Sequence, residues 1–364
     1  MKILHVSSAR AYGGGEKHLA GLARGLAAKG HEIFLALRSP ELFRERLGDI
    51  SSDHVFTLPL RNAFDLPSGR KLARILRDHK IDIVHAHVAR DYPVAALAAR
   101  RSGSRLALTR HLLFPLQGLH RIALSNVSRV IAVSRAVEKA LRDQRIFDPG
   151  RIVVVANGVD AERFVPAPEA RSGSEISLRV GIVGELSPVK AQEDFLRVAA
   201  VVASDFTGNV EFLIVGEDQS PSRAYRARLE RLIADLRLGG HARLMGHRGE
   251  EEMPAIVGSF DVLVSTSHQE AFGMAMAEAM ACGVPVVASG TEGAREIVED
   301  GVTGVITPIG DTKMMAAAVV ALLQDPGQRR AFGQRAVLSA RRRFSLQRMV
   351  DETEKVYEEI LREQ

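Results

Sequence analysis

The chain has 364 residues and a mass of 39.6 kDa, which at roughly 100–200 residues per domain is enough for two domains with separate cores. With 46% hydrophobic and 26% charged residues its composition is that of an ordinary globular protein, not of a disordered or fibrous one. One cysteine, Cys282, excludes an intramolecular disulfide and a cysteine-built zinc site, and fits a reducing cytoplasm. The net charge of +5 is unevenly spread: residues 1–165 hold 27 Lys and Arg against 15 Asp and Glu, and the remainder 22 against 29.

The opening residues MKILHVSS lack the long apolar stretch and cleavage site of a signal peptide, so no export signal is expected. Apolar runs of strand length follow at Ile3–Ser7, Ile33–Leu37, Ile81–His85, Leu106–Thr109, Val130–Val133 and Ile152–Val155. Continuous runs of this kind fit a parallel sheet covered on both faces. Helical patterns at Gly15–Lys29, Ser68–Lys80 and Tyr92–Arg101 alternate with them, which is strand–helix winding. Pro166–Glu175 (PAPEARSGSE) has the composition of a linker and sets the expected domain boundary.

The alternation restarts with strands at Leu178–Val183, Val210–Val215, Ala242–Met245, Val262–Ser265, Val286–Ala288 and Val305–Thr307, and from Asp311 the pattern is helical to the end. The longest apolar run, Met314–Leu323, is half of the roughly 20 residues that a membrane span needs. The expected architecture is therefore α/β, with an N-terminal doubly wound, Rossmann-like domain over 1–165, a second over 175–345, and a terminal helix over 346–364. Tandem domains of this type bind ligands at the carboxyl ends of their strands.

Several segments carry chemistry. After the first strand, Gly13-Gly14-Gly15-Glu16 lets backbone approach a ligand at a helix start that favours an anion; an isolated glycine run also suits a plain turn. There is no G-x-G-x-x-G after this strand and no G-x-x-x-x-G-K-[ST] anywhere, so neither a nicotinamide enzyme nor a P-loop NTPase is indicated. His85 and His87 flank Ala86 and project to one side; with no nearby Cys or carboxylate that completes a plausible metal site, a structural or cleft-lining role is expected and no metal site. Between Asp91 and Glu138 the chain has seven arginines, Arg110 among them, and no acidic residue, a field that attracts anionic partners. The helix SGRKLARILRDHK (68–80) suits either an anionic membrane surface or an ordinary amphipathic packing role.

The stretch Ser265 to Val287, STSHQEAFGMAMAEAMACGVPVV, is the most specific. It reads as a strand end, a loop with Glu270, and a short Ala/Met helix carrying Glu278, stopped by Gly283-Val-Pro. The amides of Phe272 and Gly273 fall at the helix start, where a phosphate is well placed. A carboxylate among Ala and Met costs solvation unless something binds it, and ligand hydroxyls would.

Glu270 and Glu278 form a Glu-x7-Glu pattern that resembles the signature of retaining GT-B glycosyltransferases of family 4. Gly13-Gly14-Gly15-Glu16, Asp82-Ile-Val-His-Ala-His87, Thr109-Arg-His111, Val133-Ser134, Asn157-Gly-Val-Asp160, Gly184 through Lys190 and Glu296 through Gly304 agree in order, so the resemblance covers nearly the whole chain. It implies two Rossmann-like domains facing across a cleft, with the last helix crossing back to the first domain. It implies transfer of a sugar from a nucleotide diphosphate sugar, a UDP-sugar ahead of a GDP-sugar, to a hydroxyl with retention and without metal or other cofactor.

Residue by residue, Lys190 would neutralise the donor diphosphate, Glu270 would hold the sugar hydroxyls and Glu278 the ribose. His111 would lie near the sugar, and Gly13, Gly14, Gly15 and Gly184 near the phosphates. Glu16, His85, His87 and Arg110 would belong to the acceptor side. The chain departs from the pattern where the family usually has arginine at Glu185 and glycine at Ala191; Arg295 is the expected basic substitute. The basic N-terminal half suggests an anionic, lipid-linked or cell-envelope glycan acceptor and a peripheral, cytoplasmic-face location. The alternatives are an epimerase or phosphorylase-like enzyme on the same fold, or a basic nucleic-acid binder, against which the few aromatics and the lack of an RNA-binding motif argue.

Overall fold

The computed structural model describes residues 1–116, 120–167 and 177–363. Most of the linker-like segment Pro166–Glu175 lies outside the described residues. The chain divides into two compact units, Met1–Gly158 with Leu346–Gln364, and Val159–Ser345.

In the first unit the elements run β1 (Lys2–Ser7), α1 (Gly14–Ala28), β2 (Glu32–Leu37), β3 (Val55–Thr57), α2 (Leu66–Asp78), β4 (Ile83–Ala86), α3 (Tyr92–Ser102), β5 (Arg105–Arg110), α4 (His120–Ala123), β6 (Val127–Ala132), α5 (Arg135–Gln144) and β7 (Ile152–Val154). The second unit runs β8 (Leu178–Val183), α6 (Gln192–Asp205), β9 (Val210–Val215), α7 (Ala224–Asp235), β10 (Ala242–Gly246), α8 (Met253–Gly258), β11 (Val262–Ser265), α9 (Met274–Ala281), β12 (Val286–Ser289), α10 (Glu292–Ile297), β13 (Gly304–Thr307), α11 (Thr312–Gln324) and α12 (Pro326–Phe344). The last helix, α13 (Leu346–Arg362), belongs to the first unit.

Both sheets are parallel, with orders β3-β2-β1-β4-β5-β6-β7 and β10-β9-β8-β11-β12-β13. In each, the order reverses beside the first strand of the unit, the position where α/β sheets open a crevice for ligands. The apolar runs produce this because helices cover both faces: Ile3, Leu4, Ile83, Val84, Val130 and Ile131 are all fully buried. Strand β3 is absent from the sequence reading. It has three residues, pairs only with β2 at the sheet edge and is half exposed, so it lacks the burial that marks the others.

Helix α13 lays Met349, Val350, Val356, Tyr357 and Ile360 in one core with Leu22, Ala23 and Leu26 of α1 and with Ile3, Ile83, Ala107 and Ile131 of the sheet. That i, i+3/i+4 stripe is the amphipathic pattern of a packed helix. Approach to α1 is close at Gly25, where an added Cβ would lie 2.4 Å from Val350 Cγ2. Ion pairs of Lys29 with Asp351 (2.6 Å) and Arg129 with Glu363 border the contact.

The segment after Gly158 packs within the second unit. Val159 N–H donates to Phe344 O (2.7 Å), and Arg163 Nη2 donates to Glu250 O (3.0 Å). The compact units therefore divide before Pro166, where composition alone had set the boundary, because Val159–Val165 is held by these bonds.

Helix α2 is amphipathic, and its apolar stripe is used by the fold: Leu72, Ile75 and Leu76 are buried, while Arg70, Lys71, Arg74 and Arg77 are exposed. Phe64 and Leu66 just before it are 74% and 52% exposed. Among the described residues, no helix is long and apolar enough to cross a membrane.

Candidate active site

In the second unit, the turns that follow β8 and β11 are stitched together. Thr266 Oγ1 donates to Lys190 O (3.0 Å) and Ala191 O (2.9 Å), and His268 N–H donates to Val189 O (2.9 Å). This brings together residues 80 positions apart: Lys190 Nζ donates to Glu270 Oε2 at 2.6 Å, a charge-assisted bond, and Ser267 Oγ donates to the same oxygen at 3.2 Å. Both partners keep some exposure, 29% for the lysine side chain and 12% for the glutamate. A bound ligand can therefore reach either charge.

The end of β9 leaves no room for a side chain against the end of β8. A Cβ on Gly216, at the end of β9, would lie 1.8 Å from Gly184 O, and both glycines have strongly positive φ, +146° and +154°. Gly184 is thus fixed by the approach of two strand ends.

Helix α9 begins at Gly273, whose φ of +104° turns the chain into the helix. Phe272 is buried edge-on against Phe344, with centroids 5.6 Å apart, which anchors the start of α9. Glu278 is 3% exposed on this helix, so it is not part of a solvated face. Burial first, and the Glu278 charge second, push the Cys282 thiol up to about 12, which leaves it a protonated, inert core residue. Arg295 is exposed on α10 and donates from Nε to Gly290 O (3.1 Å). Glu185 is exposed, and its backbone carbonyl accepts from Gln192 Nε2 (2.9 Å).

In the first unit, the carboxyl ends of β1, β4 and β5 gather the glycine loop and five histidines. Glu16 caps α1: its Oε2 accepts from Gly13 N–H at 3.0 Å. Its carboxyl is raised above the usual range, chiefly by burial. Arg110 is buried and donates from Nη2 to Phe114 O, shaping the loop beyond β5. His85 is fully buried, with Nδ1 to Tyr357 Oη (2.6 Å) and Nε2 to Thr109 Oγ1 (2.7 Å). Its place is in the fold, tying α13 to the sheet, and not on a ligand-facing surface.

Three further histidines stand beside the His85/His87 pair, which the sequence reading treated by itself. His5 is in register with His85 across β1 and β4 and has Nδ1 3.0 Å from His87 Nε2. His18 of α1 has Nδ1 2.9 Å from Asn157 Oδ1, and its ring lies edge-on to His111 at 4.8 Å. His5 and His18 were missed because each sits inside an apolar pattern and reads as core. Asp91 was missed as well: its Oδ2 accepts from Ser8 N–H at 2.7 Å, joining the loop after β1 to the start of α3, and burial pushes its carboxyl up to about 6.

Burial, the largest cause at every one of the five, lowers these histidines; His5 falls to about 3 and His18 to about 4. Folded-state values below the unfolded value of about 6.5 mean that their stability contribution is complete above that pH and is lost as pH falls toward 4. The raised carboxyls of Asp91 and Glu16 act in the opposite direction, but they are two against five. Denaturation of the protein at pH 7 and pH 5 is expected to show stability falling by more than about 1.4 kcal/mol per pH unit, the slope of one proton. A flat profile would contradict the burial of neutral rings.

Ala191 has φ +50° at the start of α6, a left-handed conformation that costs a residue with a Cβ roughly 1–2 kcal/mol. Ala191→Gly is therefore expected to stabilise the protein by up to about 1 kcal/mol after the added unfolded-state entropy of glycine, read by urea denaturation.

Known families and structures fit this geometry. The model for glycosyl transferases group 1 matches residues 171–338, and that for glycosyltransferase family 4 matches residues 12–163. D-inositol 3-phosphate glycosyltransferase of Thermobispora bispora is 31% identical over 287 residues, covering 72% of this chain and 67% of that protein. The protein of the same name from Salinispora tropica is 28% identical over 78% of this chain, which spans 64% of that relative's length. N-acetyl-alpha-D-glucosaminyl L-malate synthase of Bacillus anthracis is 24% identical, covering 94% of this chain and 93% of that one. Among solved structures, Anabaena Alr3699/HepE in complex with UDP and glucose has a TM-score of 0.85 at 24% identity, covering 99% of this chain and 100% of that one. Sequence, sheet topology and these likenesses agree that the chain belongs to glycosyltransferase family 4 and has the GT-B fold.

Proposed function

We propose that this protein transfers a sugar from a nucleotide diphosphate donor to a hydroxyl, with retention of anomeric configuration. The observation that carries the reading is the Lys190–Glu270 bond of 2.6 Å at the joined ends of β8 and β11. There, Lys190 supplies the positive charge for the departing diphosphate, and Glu270 accepts hydrogen bonds from the sugar hydroxyls. The amides at the start of α9 take phosphate oxygens, and Glu278 takes the ribose. UDP and glucose bound in the Anabaena structure support a UDP-sugar ahead of a GDP-sugar.

Transfer in this reading needs no group that shuttles electrons and no metal on the diphosphate. Lys190 and preorganised amides meet the charge that develops on the leaving group, and the departing phosphate oxygen takes the acceptor proton on the face where the new bond forms. The protein contributes position and electrostatics. Exposed Glu185 is screened by water, which lowers the repulsion that its charge offers the donor.

The acceptor belongs to the first unit in this proposal. His87 and His111 near the glycine loop, and the arginines between Asp91 and Glu138, favour an anionic or lipid-linked glycan at a membrane surface. Since α2 spends its apolar stripe on the fold, surface attraction rests on its exposed cations and on Phe64 and Leu66.

Lys190→Ala and Glu270→Ala are each expected to cut transfer at least about a hundredfold, the scale of losing one preorganised charge-stabilising contact. Measured with radiolabelled donor and isolated product, near-full activity in either variant would refute the assignment.

A further inference from the structure

Helix α12 carries six arginines and no acidic residue over 19 positions, in a part of the chain where Asp and Glu outnumber Lys and Arg by 29 to 22. Two of the six serve the fold. Arg329 Nη1 donates to Leu322 O and Leu323 O, both at 2.7 Å, and satisfies carbonyls at the end of α11; Arg343 pairs with Glu299 at 2.8 Å. The other four, Arg330, Arg335, Arg341 and Arg342, are exposed and form no salt bridge among the described residues. A set of unpaired like charges on one helix costs self-repulsion, for which the fold gives no return.

Their arrangement names a partner. At 3.6 residues per turn, Phe332, Ala336, Ala340 and Phe344 turn into the core, and the opposite arc faces water. Leu338, 69% exposed, and half-buried Ala331 stand at the middle of that arc. Arg330 and Arg341 run along one flank, and Arg335 and Arg342 along the other. The Arg335 guanidinium lies 5.4 Å from the centre of the Phe332 ring, which holds it beside the helix. From Arg330 to Arg342 the face is about 18 Å long at 1.5 Å per residue. An apolar centre between two rows of cations suits a helix lying on an anionic bilayer: the arginine stems follow the apolar ridge and the guanidinium groups meet headgroup phosphates. A nucleic acid would engage the arginines through its phosphates, but it gives nothing to a leucine at the centre of the contact.

We propose that the outer face of α12 docks on a bilayer rich in anionic phospholipid, with its four unpaired arginines on headgroup phosphates and Leu338 at the boundary of the acyl chains. The second unit thereby has a membrane contact of its own, whereas the function proposed above gives surface attraction to the first unit alone. The contact stands apart from the donor site, since its test reads vesicle binding and not transfer.

The full chain is to be sedimented at about 0.1 M salt with vesicles of phosphatidylcholine and phosphatidylglycerol in equal parts, and with vesicles of phosphatidylcholine alone. Binding to the anionic vesicles only is expected. The double variant Arg341→Gln, Arg342→Gln is expected to bind them at least about tenfold more weakly, since each cation near such a surface contributes roughly fivefold. Both side chains are exposed, so the variant is expected to keep the wild-type denaturation midpoint. A readout at the helix itself comes from Leu338→Cys carrying an environment-sensitive dye: the native Cys282 is buried and escapes labelling, and the dye's emission is expected to shift to the blue on anionic vesicles. No vesicle binding by the wild-type chain would overturn the proposal. Binding that the double variant keeps in full, or a dye at position 338 that stays in water, would overturn it and leave the surface to the first unit. Retention of single-stranded RNA through these arginines in place of vesicle binding would overturn it in favour of nucleic acid.

Discussion

A parallel sheet covered on both faces leaves one place for polar chemistry, the carboxyl edge, and both units obey that constraint. Strand interiors are apolar but for His5 and His85, which are hydrogen-bonded there, because a charged or unpaired polar side chain would lose its hydration without return. At the edge, the turns after β8 and β11 carry Lys190 and Glu270, and those after β4 and β5 carry His87 and His111. Helices α1 and α9 begin at this edge, with Gly13 and Gly273 preceding their first turns. The transfer chemistry proposed above descends from this placement.

The edge is also where strain and unmet bonding collect. Ala191 holds a left-handed backbone at the start of α6, a position at which the family resemblance expects glycine, and its conformation gives the physical reason. Gly216 lies so close to Gly184 O that no side chain fits at position 216. The histidine cluster stores a different cost, neutral rings kept from water with lone pairs unsatisfied. Such costs persist where the surrounding core over-determines the geometry, and α13 supplies much of that core through Tyr357 and its neighbours.

How much of this could be read from the sequence follows from burial. Runs such as Val210–Val215 and Leu178–Val183 match their strands because continuous apolar sequence needs both faces covered. Val55–Thr57 escaped because an edge strand of three residues carries no such signal. Glu270 and Lys190 were identified by their motifs, but the bond between them is a product of topology, since 80 residues separate them. His5 and His18 could have been found by asking what a histidine does inside a buried apolar pattern. No spacing rule would have united them with residues 87 and 111.

The central claim is that the donor nucleotide sits at the joined ends of β8 and β11. Hydrogen–deuterium exchange with and without UDP tests it directly. Slowed exchange confined to residues 184–191 and 266–280 is the predicted result; protection by UDP elsewhere, with these segments unchanged, would contradict it.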